Sequence, residues 1–180
     1  ENGLWLWWNQ NGIKLREGSY RNGQKHGLWI TYNDKGDKVE ESQWKDGNLY
    51  GKSTVFYMNG TKSMLKSYKD DEKDGLWVWW NDNGKKVKEG NFKLGDKNGK
   101  WTYYHANGKK KRLENYKLGK KNGKLIVWFE NGQKEREESY KNDEKHGKWT
   151  YWFENGRLDK EEKYTNGVQT DGKHYDYFDN

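Results

Sequence analysis

The feature that most constrains the fold is a glycine that recurs every 24 residues without insertion or deletion. A second glycine follows each of these anchor glycines nine residues later. A fixed period of about 20–50 residues predicts a repeat array in which each repeat is one supersecondary motif. The next equivalent glycine, Gly172, comes one residue late, as expected of a distorted terminal repeat. The anchor glycines are Gly3, Gly27, Gly51, Gly75, Gly99, Gly123 and Gly147.

Each repeat has the pattern of a β-hairpin. Asn precedes the second glycine in six of the seven repeats, and Asn-Gly favours the type I′ turn, whose two central residues both have positive φ. The flanking runs, such as Leu76–Trp80 and Lys100–Tyr104, are rich in aromatic and β-branched residues and predict strands. Loops such as Arg21–His26 then join one hairpin to the next. A helix is excluded because the Asn-Gly pairs would interrupt it repeatedly.

The predicted fold class is all-β, with tandem 24-residue β-hairpin repeats in an elongated, twisted antiparallel meander. Seven hairpins give about 14 strands, and open sheets beyond about ten strands usually curl. We therefore expect an open repeat array and a single repeat domain, 1–180. Its repeats span approximately 3–26, 27–50, 51–74, 75–98, 99–122, 123–146 and 147–171, with a partial repeat at 172–180.

Alternation along a strand predicts which side chains share a face. Trp101 and Tyr103 are expected on one face, with Thr102 and Tyr104 on the other. The position opposite the Trp of repeats 1, 2 and 4 is small, which would let the indole lie across the neighbouring strand. These small residues are Gly18, Ser42 and Gly90.

Composition assigns the core to aromatic rings. A mean hydropathy of −1.54 and a hydrophobic content of 30% would favour disorder, but Phe, Trp and Tyr make up 17% of the chain. Of the 30 rings, 26 occupy five recurrent positions of the repeat, which favours a structural framework over a stacking platform for bases or sugars. There is no cysteine, so disulfides and thiolate metal sites are excluded, and no apolar run approaches the roughly 20 residues of a membrane helix.

The repeats resemble the MORN repeat in its bacterial variant form. The clearest match is EGSYRNGQKHGLW at Glu17–Trp29, and related segments are EGNFKLGDKNGKW at Glu89–Trp101 and ESYKNDEKHGKW at Glu138–Trp149. The resemblance covers nearly the whole chain. Repeat 3 departs most, because Ser53 replaces the Trp and Asp71 replaces the loop Gly, and repeat 6 has Leu125 for the Trp. We expect structural roles for Gly27, Trp29, Gly99, Trp101, Gly108, Tyr116, Gly147 and Trp149.

The resemblance implies tandem hairpins without enzymatic activity. Such arrays serve as scaffolds, dimerisation modules or membrane-associated adaptors, and bacterial variant members are often labelled antitoxins. The first residues already lie within the repeat pattern and include no methionine, so both a cytoplasmic location and, after removal of a leader, a secreted or periplasmic one stay open.

Charge is concentrated in one segment. Residues 85–124 hold 14 basic and 3 acidic residues, a net of +11, whereas the whole chain has +7. Such a field attracts acidic protein, anionic lipid or nucleic acid, although lysines at turns also serve only to prevent aggregation. Lysine outnumbers arginine here by 13 to 1, which disfavours specific reading of bases. The candidate partner-binding residues are Lys85, Lys86, Lys88, Lys109, Lys110, Lys111, Arg112, Lys120 and Lys121.

No pattern in the chain indicates catalysis, a cofactor or a metal. His26 and His146 precede anchor glycines at equivalent positions but have no second ligand at metal spacing. The acidic run Asp70–Gly75 lacks the spaced ligands of a calcium loop. The favoured function is a non-catalytic scaffold for protein–protein interaction, including self-association. The alternative is electrostatic docking of segment 85–124 on anionic lipid or, less favoured, on nucleic acid.

Overall fold

A computed structural model describes residues 1–176. Contacts between Cα atoms divide the chain into two compact bodies. The N-terminal body comprises Glu1–Lys86 with Phe92–Gly95, and the C-terminal body comprises Val87–Asn91 with the described residues from Asp96 onwards.

The N-terminal body is a run of antiparallel strands that pair in chain order. Each anchor glycine lies at or near the start of the first strand of a hairpin, and the second strand ends one residue after the recurrent aromatic. The strands are β1 (Gly3–Trp8), β2 (Lys14–Arg21), β3 (Gln24–Tyr32), β4 (Lys38–Lys45), β5 (Asn48–Phe56), β6 (Lys62–Lys69), β7 (Glu72–Lys73) and β8 (Gly75–Trp80).

The C-terminal body repeats the same order of pairing. Strand β9 (Lys86–Lys93) contributes residues to both bodies. The remaining strands are β10 (Asp96–Tyr104), β11 (Lys110–Lys117), β12 (Lys120–Lys121), β13 (Gly123–Trp128), β14 (Lys134–Lys141), β15 (Glu144–Lys145), β16 (Gly147–Trp152), β17 (Leu158–Thr165) and β18 (Val168–His174).

The all-β class and the tandem hairpins are confirmed. The described residues form 18 strands where about 14 were expected. Three of the additional strands, β7, β12 and β15, are two-residue segments cut off just before an anchor glycine, and the partial repeat supplies β18. At these interruptions one strand pairs with both halves of its neighbour: β6 pairs with β7 and then with β8. The anchor glycine therefore marks a bulge, where φ is positive.

The type I′ turn lies elsewhere than predicted. At Asn11-Gly12 only Gly12 has positive φ, and the loop is longer than two residues. The side chain of Asn9 holds this loop by accepting hydrogen bonds from the N–H groups of Asn11 and Ile13, both at 2.9 Å. Asn-Gly alone therefore did not identify the turn, because a nearby Asn side chain stabilises a wider loop.

The two-residue turns are the connections between repeats. Asn22 (φ 51°) and Gly23 (φ 76°) separate Arg21 from its direct partner Gln24. Positive φ at both central residues defines a type I′ turn, whose twist matches that of the flanking strands. What was predicted as a linking loop, Arg21–His26, is thus a tight hairpin. Within each body, successive repeats are therefore joined by the same antiparallel pairing that holds the two strands of a repeat together.

Small residues do face the Trp positions, but the ring that covers them comes from the following repeat. Gly18 pairs with Trp5 in its own hairpin and with Trp29 on the other side. A Cβ on Gly18 would meet Trp29 Cδ2 at 2.2 Å, so the indole of repeat 2 lies directly over this glycine. Gly90 has the same relation to Trp101, also at 2.2 Å. Because these glycines have no side chain, the indole of the next repeat can pack directly against the backbone there.

The same indoles also donate a recurrent hydrogen bond. Trp29 Nε1 donates to the carbonyl oxygen of Ser19 at 3.1 Å, ten residues earlier. Equivalent bonds of 3.0 Å join Trp77 to Ser67, Trp101 to Asn91 and Trp149 to Ser139. These four rings are 2–6% exposed. Since the donor and acceptor belong to successive repeats, each Trp fastens its repeat to the one before it.

Gly90→Ala should destabilise the protein by about 1–3 kcal/mol, because the new methyl group overlaps the indole of Trp101. The measurement is the free energy of unfolding in urea. The matched background is Trp101→Leu, which copies the natural Leu125 of the next repeat. In that background Gly90→Ala should cost under about 0.5 kcal/mol, because a smaller side chain leaves room for the methyl. An equal cost in both backgrounds would contradict the inference that Gly90 provides the space for the Trp101 indole.

Candidate interaction surface

A row of lysines lies over the buried rings. Lys97 Nζ is 4.5 Å from the ring centre of Trp101 and 4.7 Å from that of Tyr116. Lys145 has the same relation to Trp149 and Tyr164, at 4.3 and 4.5 Å. A cation over an aromatic face contributes about 0.5–2 kcal/mol, the higher value where water is removed. We call the lysines at this position of the repeat, two residues before an anchor glycine, the inner lysine row. Its members are Lys25 and Lys73 in the N-terminal body, and Lys97, Lys121 and Lys145 in the C-terminal body.

Partial burial lowers the pKa of two members of this row, Lys25 and Lys97. Desolvation lowers the pKa of Lys25, and the nearby charge of Arg16 lowers it further. Desolvation is also the main reason that the pKa of Lys97 is lowered. These amines are therefore structural cations partly removed from water, and they differ from the exposed lysines of the turns.

Buried carboxylates complete the inner face of the C-terminal body. Glu138 is 5% exposed, accepts a hydrogen bond from the Tyr140 hydroxyl at 2.8 Å and lies 3.2 Å from Arg136 Nε. The same order of cation, Glu and Tyr on one strand recurs at Arg112–Tyr116 and at Lys160–Tyr164. Each carboxylate is thus paired with a cation and hydrogen-bonded by a phenol, as a buried charge requires.

The predicted basic residues divide between the two bodies. Lys85 and Lys86 belong to the N-terminal body, and the other seven belong to the C-terminal body. Three of the nine are half-buried: Lys88, Arg112 and Lys121. The exposed residues are Lys85, Lys86, Lys109, Lys110, Lys111 and Lys120.

Two of the half-buried residues contact the inner face. The guanidinium of Arg112 lies 4.2 Å from the ring centre of Tyr103, and its Nε is 3.5 Å from Glu114. Lys121 lies 5.1 Å from the ring centre of Tyr140, in the inner lysine row. Both side chains are therefore involved in holding the repeats together.

Three exposed lysines lie just before and at the beginning of β11. Lys110 pairs with Tyr104, whereas Tyr103 pairs with Arg112, so Lys111 is the extra residue of a bulge. Lys109 Nζ donates a hydrogen bond to the carbonyl oxygen of Asn131 at 2.9 Å. These three consecutive lysines thus form a compact basic group beside a hairpin loop.

A second basic group surrounds a strained leucine. Leu118 has φ 47° and is 57% exposed at the tip of a two-residue turn, between Lys117 and Lys120. Leu94 has φ 50° and is 64% exposed at the equivalent turn of the preceding repeat. A leucine in the left-handed region is disfavoured by about 1 kcal/mol, and other repeats place Asn or Asp there.

Sequence reasoning missed the inner lysine row and the exposed turn leucines Leu94 and Leu118. The signal for the first was available, since Lys stands two residues before five of the anchor glycines. The signal for the second was the replacement of Asn by Leu before a turn glycine, in KLG at 93–95 and 117–119. This replacement could be interpreted only after the structure showed that the residue before the turn glycine has positive φ.

Residues 1–176 bring together no group of three His, Cys, Asp or Glu side chains that would hold a metal ion. Over the same residues, no helix has both the length and the apolar character that a membrane span requires.

Tyr104 links the basic group to a carboxylate. It pairs with Lys110, and its hydroxyl donates a hydrogen bond to Glu89. Burial of the hydroxyl, together with the hydrogen bond to Glu89, raises the pKa of Tyr104 to about 12.

Tyr104→Phe should change the alkaline stability of the fold. The folded pKa lies above the ordinary value of 10, so the contribution of neutral Tyr104 is complete below pH 10 and is lost as the pH rises through 12. The variant should be less stable by about 1 kcal/mol at neutral pH, where it lacks the hydrogen bond to Glu89. Its urea midpoint should then fall less between pH 10 and 12. Tyr50→Phe, at an exposed ring, is the control, and parallel curves for Tyr104→Phe and the parent would contradict the prediction.

Comparison with known families matches the MORN repeat variant at residues 1–22, 73–94, 97–118, 121–142 and 145–166, which is more than half of the chain. The unmatched stretch contains Ser53 and Asp71, the departures noted in repeat 3. No curated protein matches the chain. Among solved structures it resembles part of the crystal structure of the GtfA/B complex bound to UDP and GlcNAc, at 12% identity and a TM-score of 0.28. That similarity covers 61% of this chain and 21% of the other, so the chain corresponds to about a fifth of that protein's length.

Repeats of the MORN variant type are commonly modules of protein or membrane interaction, and their family is a repeat-scaffold family and not an enzyme family. The chain belongs to the MORN repeat variant family.

Proposed function

We propose that the chain is a non-catalytic scaffold that binds a protein partner, including a second copy of itself. The observation that carries this proposal is a row of exposed leucines one residue after the anchor glycines of the N-terminal body. Leu4, Leu28 and Leu76 are 66%, 46% and 40% exposed. Single exposed apolar side chains are ordinary, but three leucines at the same position of repeats 1, 2 and 4 form an apolar surface that a partner covers.

The outer leucine row lies apart from the groups that hold the repeats together. Leu28 pairs with Gln43, and Leu4 pairs with Ser19, on the strand face opposite the buried Trp residues. Repeat 3 has Lys52 at the same position, and every repeat after the fourth has lysine there as well. Lysine is therefore compatible with the fold at this position. The leucines of the first, second and fourth repeats are accordingly explained by binding better than by packing.

Replacing Leu28 and Leu76 with Lys should reduce partner binding at least tenfold and leave the urea midpoint nearly unchanged. Each exposed leucine that becomes buried in an interface contributes about 1–2 kcal/mol. The measurements are light scattering over a concentration series and capture of proteins from the native lysate. The control is Gln24→Lys with Asn48→Lys, which adds the same charge at exposed turn positions where repeat 5 has Lys120. A strictly monomeric parent that retains no protein would overturn the proposal.

A second function, docking on anionic lipid, is favoured by the exposed side chain of Leu118 in its two-residue turn. An exposed apolar side chain between lysines suits a bilayer surface, because the lysines attract lipid phosphates while the leucine enters the interface. Lys109, Lys110 and Lys111 add positive charge in the same body. Nucleic acid is less favoured, because residues 85–124 contain a single arginine, Arg112, and that side chain is half-buried.

Leu118→Asn should have opposite effects on stability and on lipid binding. Asn tolerates the left-handed conformation, so the protein should gain about 0.5–1 kcal/mol in urea unfolding. Flotation with vesicles containing phosphatidylserine should fall several-fold, and Lys109→Glu, Lys110→Glu and Lys111→Glu together should abolish it. Neutral vesicles, two salt concentrations and a duplex DNA shift are the controls. Flotation that does not respond to salt, or to either variant, would reject lipid docking.

A further inference from the structure

Two repeats of the C-terminal body place a cation of the second strand over a ring of the first strand. In repeat 5 the guanidinium of Arg112 lies 4.2 Å from the ring centre of Tyr103, which is its direct partner across the strands. In repeat 7 Lys160 Nζ lies 4.4 Å from the ring centre of Tyr151, again its direct partner. These positions of the hairpin thus combine a cation with an aromatic face.

Repeat 6 lacks the ring. It has Val127 where repeats 5 and 7 have tyrosine, and this valine pairs with Arg112 on one side and with Arg136 on the other. Neighbouring strands are about 4.8 Å apart, so the Cα atoms of the two arginines lie about 10 Å apart on the same face. Arg136 therefore has no ring opposite it in its own hairpin, and the space over Val127 is flanked by two cations.

A cavity of about 440 Å³ lies at this place. Arg112, Arg136 and Val127 line it together with Tyr103 and Tyr104. Sites for small molecules have about 300–1,000 Å³ and combine a largely apolar lining with a few polar groups. The volume and the lining therefore suit a ligand that has a flat apolar part and a group that accepts hydrogen bonds.

Each of the two guanidiniums has one edge against a carboxylate and the other edge open. Glu114 lies 3.5 Å from Arg112 Nε, and Glu138 lies 3.2 Å from Arg136 Nε. Both carboxylates are buried, whereas both arginine side chains are 39% exposed. A guanidinium has five N–H donors, and four of them belong to its two terminal nitrogens. Those terminal nitrogens are the groups with which arginine binds phosphate through parallel hydrogen bonds.

Repeats 2 and 3 also have a small residue at the position of Val127, but without two arginines. Thr31 pairs with Arg16 and Glu40. Val55 pairs with Glu40 and Met64. A small residue between two arginines thus distinguishes repeat 6 from the other repeats that lack the ring.

We propose that the cavity over Val127 binds an aryl phosphate, the phosphate ester of an aromatic alcohol. The ring of the ligand takes the place of the missing tyrosine ring, and its phosphate accepts hydrogen bonds from the terminal nitrogens of Arg112 and Arg136. A phosphate presents three oxygens to two guanidiniums, whereas a single guanidinium satisfies both oxygens of a carboxylate. Lys111 and Glu135 also line the cavity and balance each other in charge. This binding site goes beyond the scaffold function and does not depend on it.

The test titrates the full chain with phenyl phosphate and follows binding by calorimetry and by the NMR signals of the ligand ring. Binding should be saturable, and Val127→Tyr should weaken it about tenfold or more, because the new ring fills the cavity. The fold should accept this change, since repeats 5 and 7 have tyrosine at the same position. The matched control is Val55→Tyr, the same substitution at the equivalent position of repeat 3, which should bind like the parent.

A second variant tests the guanidinium. Arg136→Lys copies Lys160 of repeat 7 and keeps a positive charge beside Glu138, so the fold should be retained. Binding should still weaken about tenfold, because an ammonium cannot replace the parallel donors of a guanidinium. Urea unfolding of each variant confirms that it is folded.

Two ligands distinguish the source of the aryl phosphate. Tighter binding of a phosphotyrosine peptide than of phenyl phosphate supports a modified protein as the natural ligand, and the reverse order supports a small molecule. Three outcomes would overturn the inference: no binding of phenyl phosphate at millimolar concentration, equally tight binding of inorganic phosphate, which has no ring, and unchanged binding by folded Val127→Tyr or Arg136→Lys.

Discussion

The structure depends on the indole of one repeat lying over the second strand of the repeat before it. That contact combines three effects at one place: burial of a large ring, a hydrogen bond from Nε1 to a main-chain carbonyl, and a lysine over the ring face. Each effect alone is small, but burying a tryptophan that also satisfies its polar atom contributes several kcal/mol in each of the four repeats that make this contact. Because the contact always joins successive repeats, it explains how hairpins that are only marginally stable alone become ordered together.

This arrangement also explains how a chain with 30% hydrophobic residues folds. The inner face is built from amphipathic groups whose polar atoms are paired: indoles with carbonyls, phenols with carboxylates, and amines with rings. Repeat 6 shows that the parts are partly interchangeable. Leu125 replaces the indole and is 4% exposed, while Lys121 remains over the ring of Tyr140. Loss of one Trp is tolerated because main-chain pairing continues through that repeat.

Much of the fold could be predicted from the sequence, because a 24-residue glycine period and alternating aromatics directly express the geometry of hairpins. The turn assignment could not be predicted from Asn-Gly, which occurs at both ends of a hairpin. The choice depended on the side chain of Asn9, which holds one loop open, and on the pairing of Arg21 with Gln24, which closes the other. The role of Lys121 was hidden for a similar reason, since only the register of the strands separates an inward lysine from an outward one.

The two kinds of lysine follow from the same register. A lysine two residues before an anchor glycine lies over aromatic rings, and at Lys97 desolvation lowers the pKa. A lysine at a hairpin loop or turn, such as Lys110 or Lys120, stays in water, where its charge is available to a partner. The net charge of a segment therefore overstates its capacity for binding. In residues 85–124 the fold uses Lys97, Arg112 and Lys121 internally, and the strained Leu118 marks the turn where exposed charge and exposed apolar surface coincide.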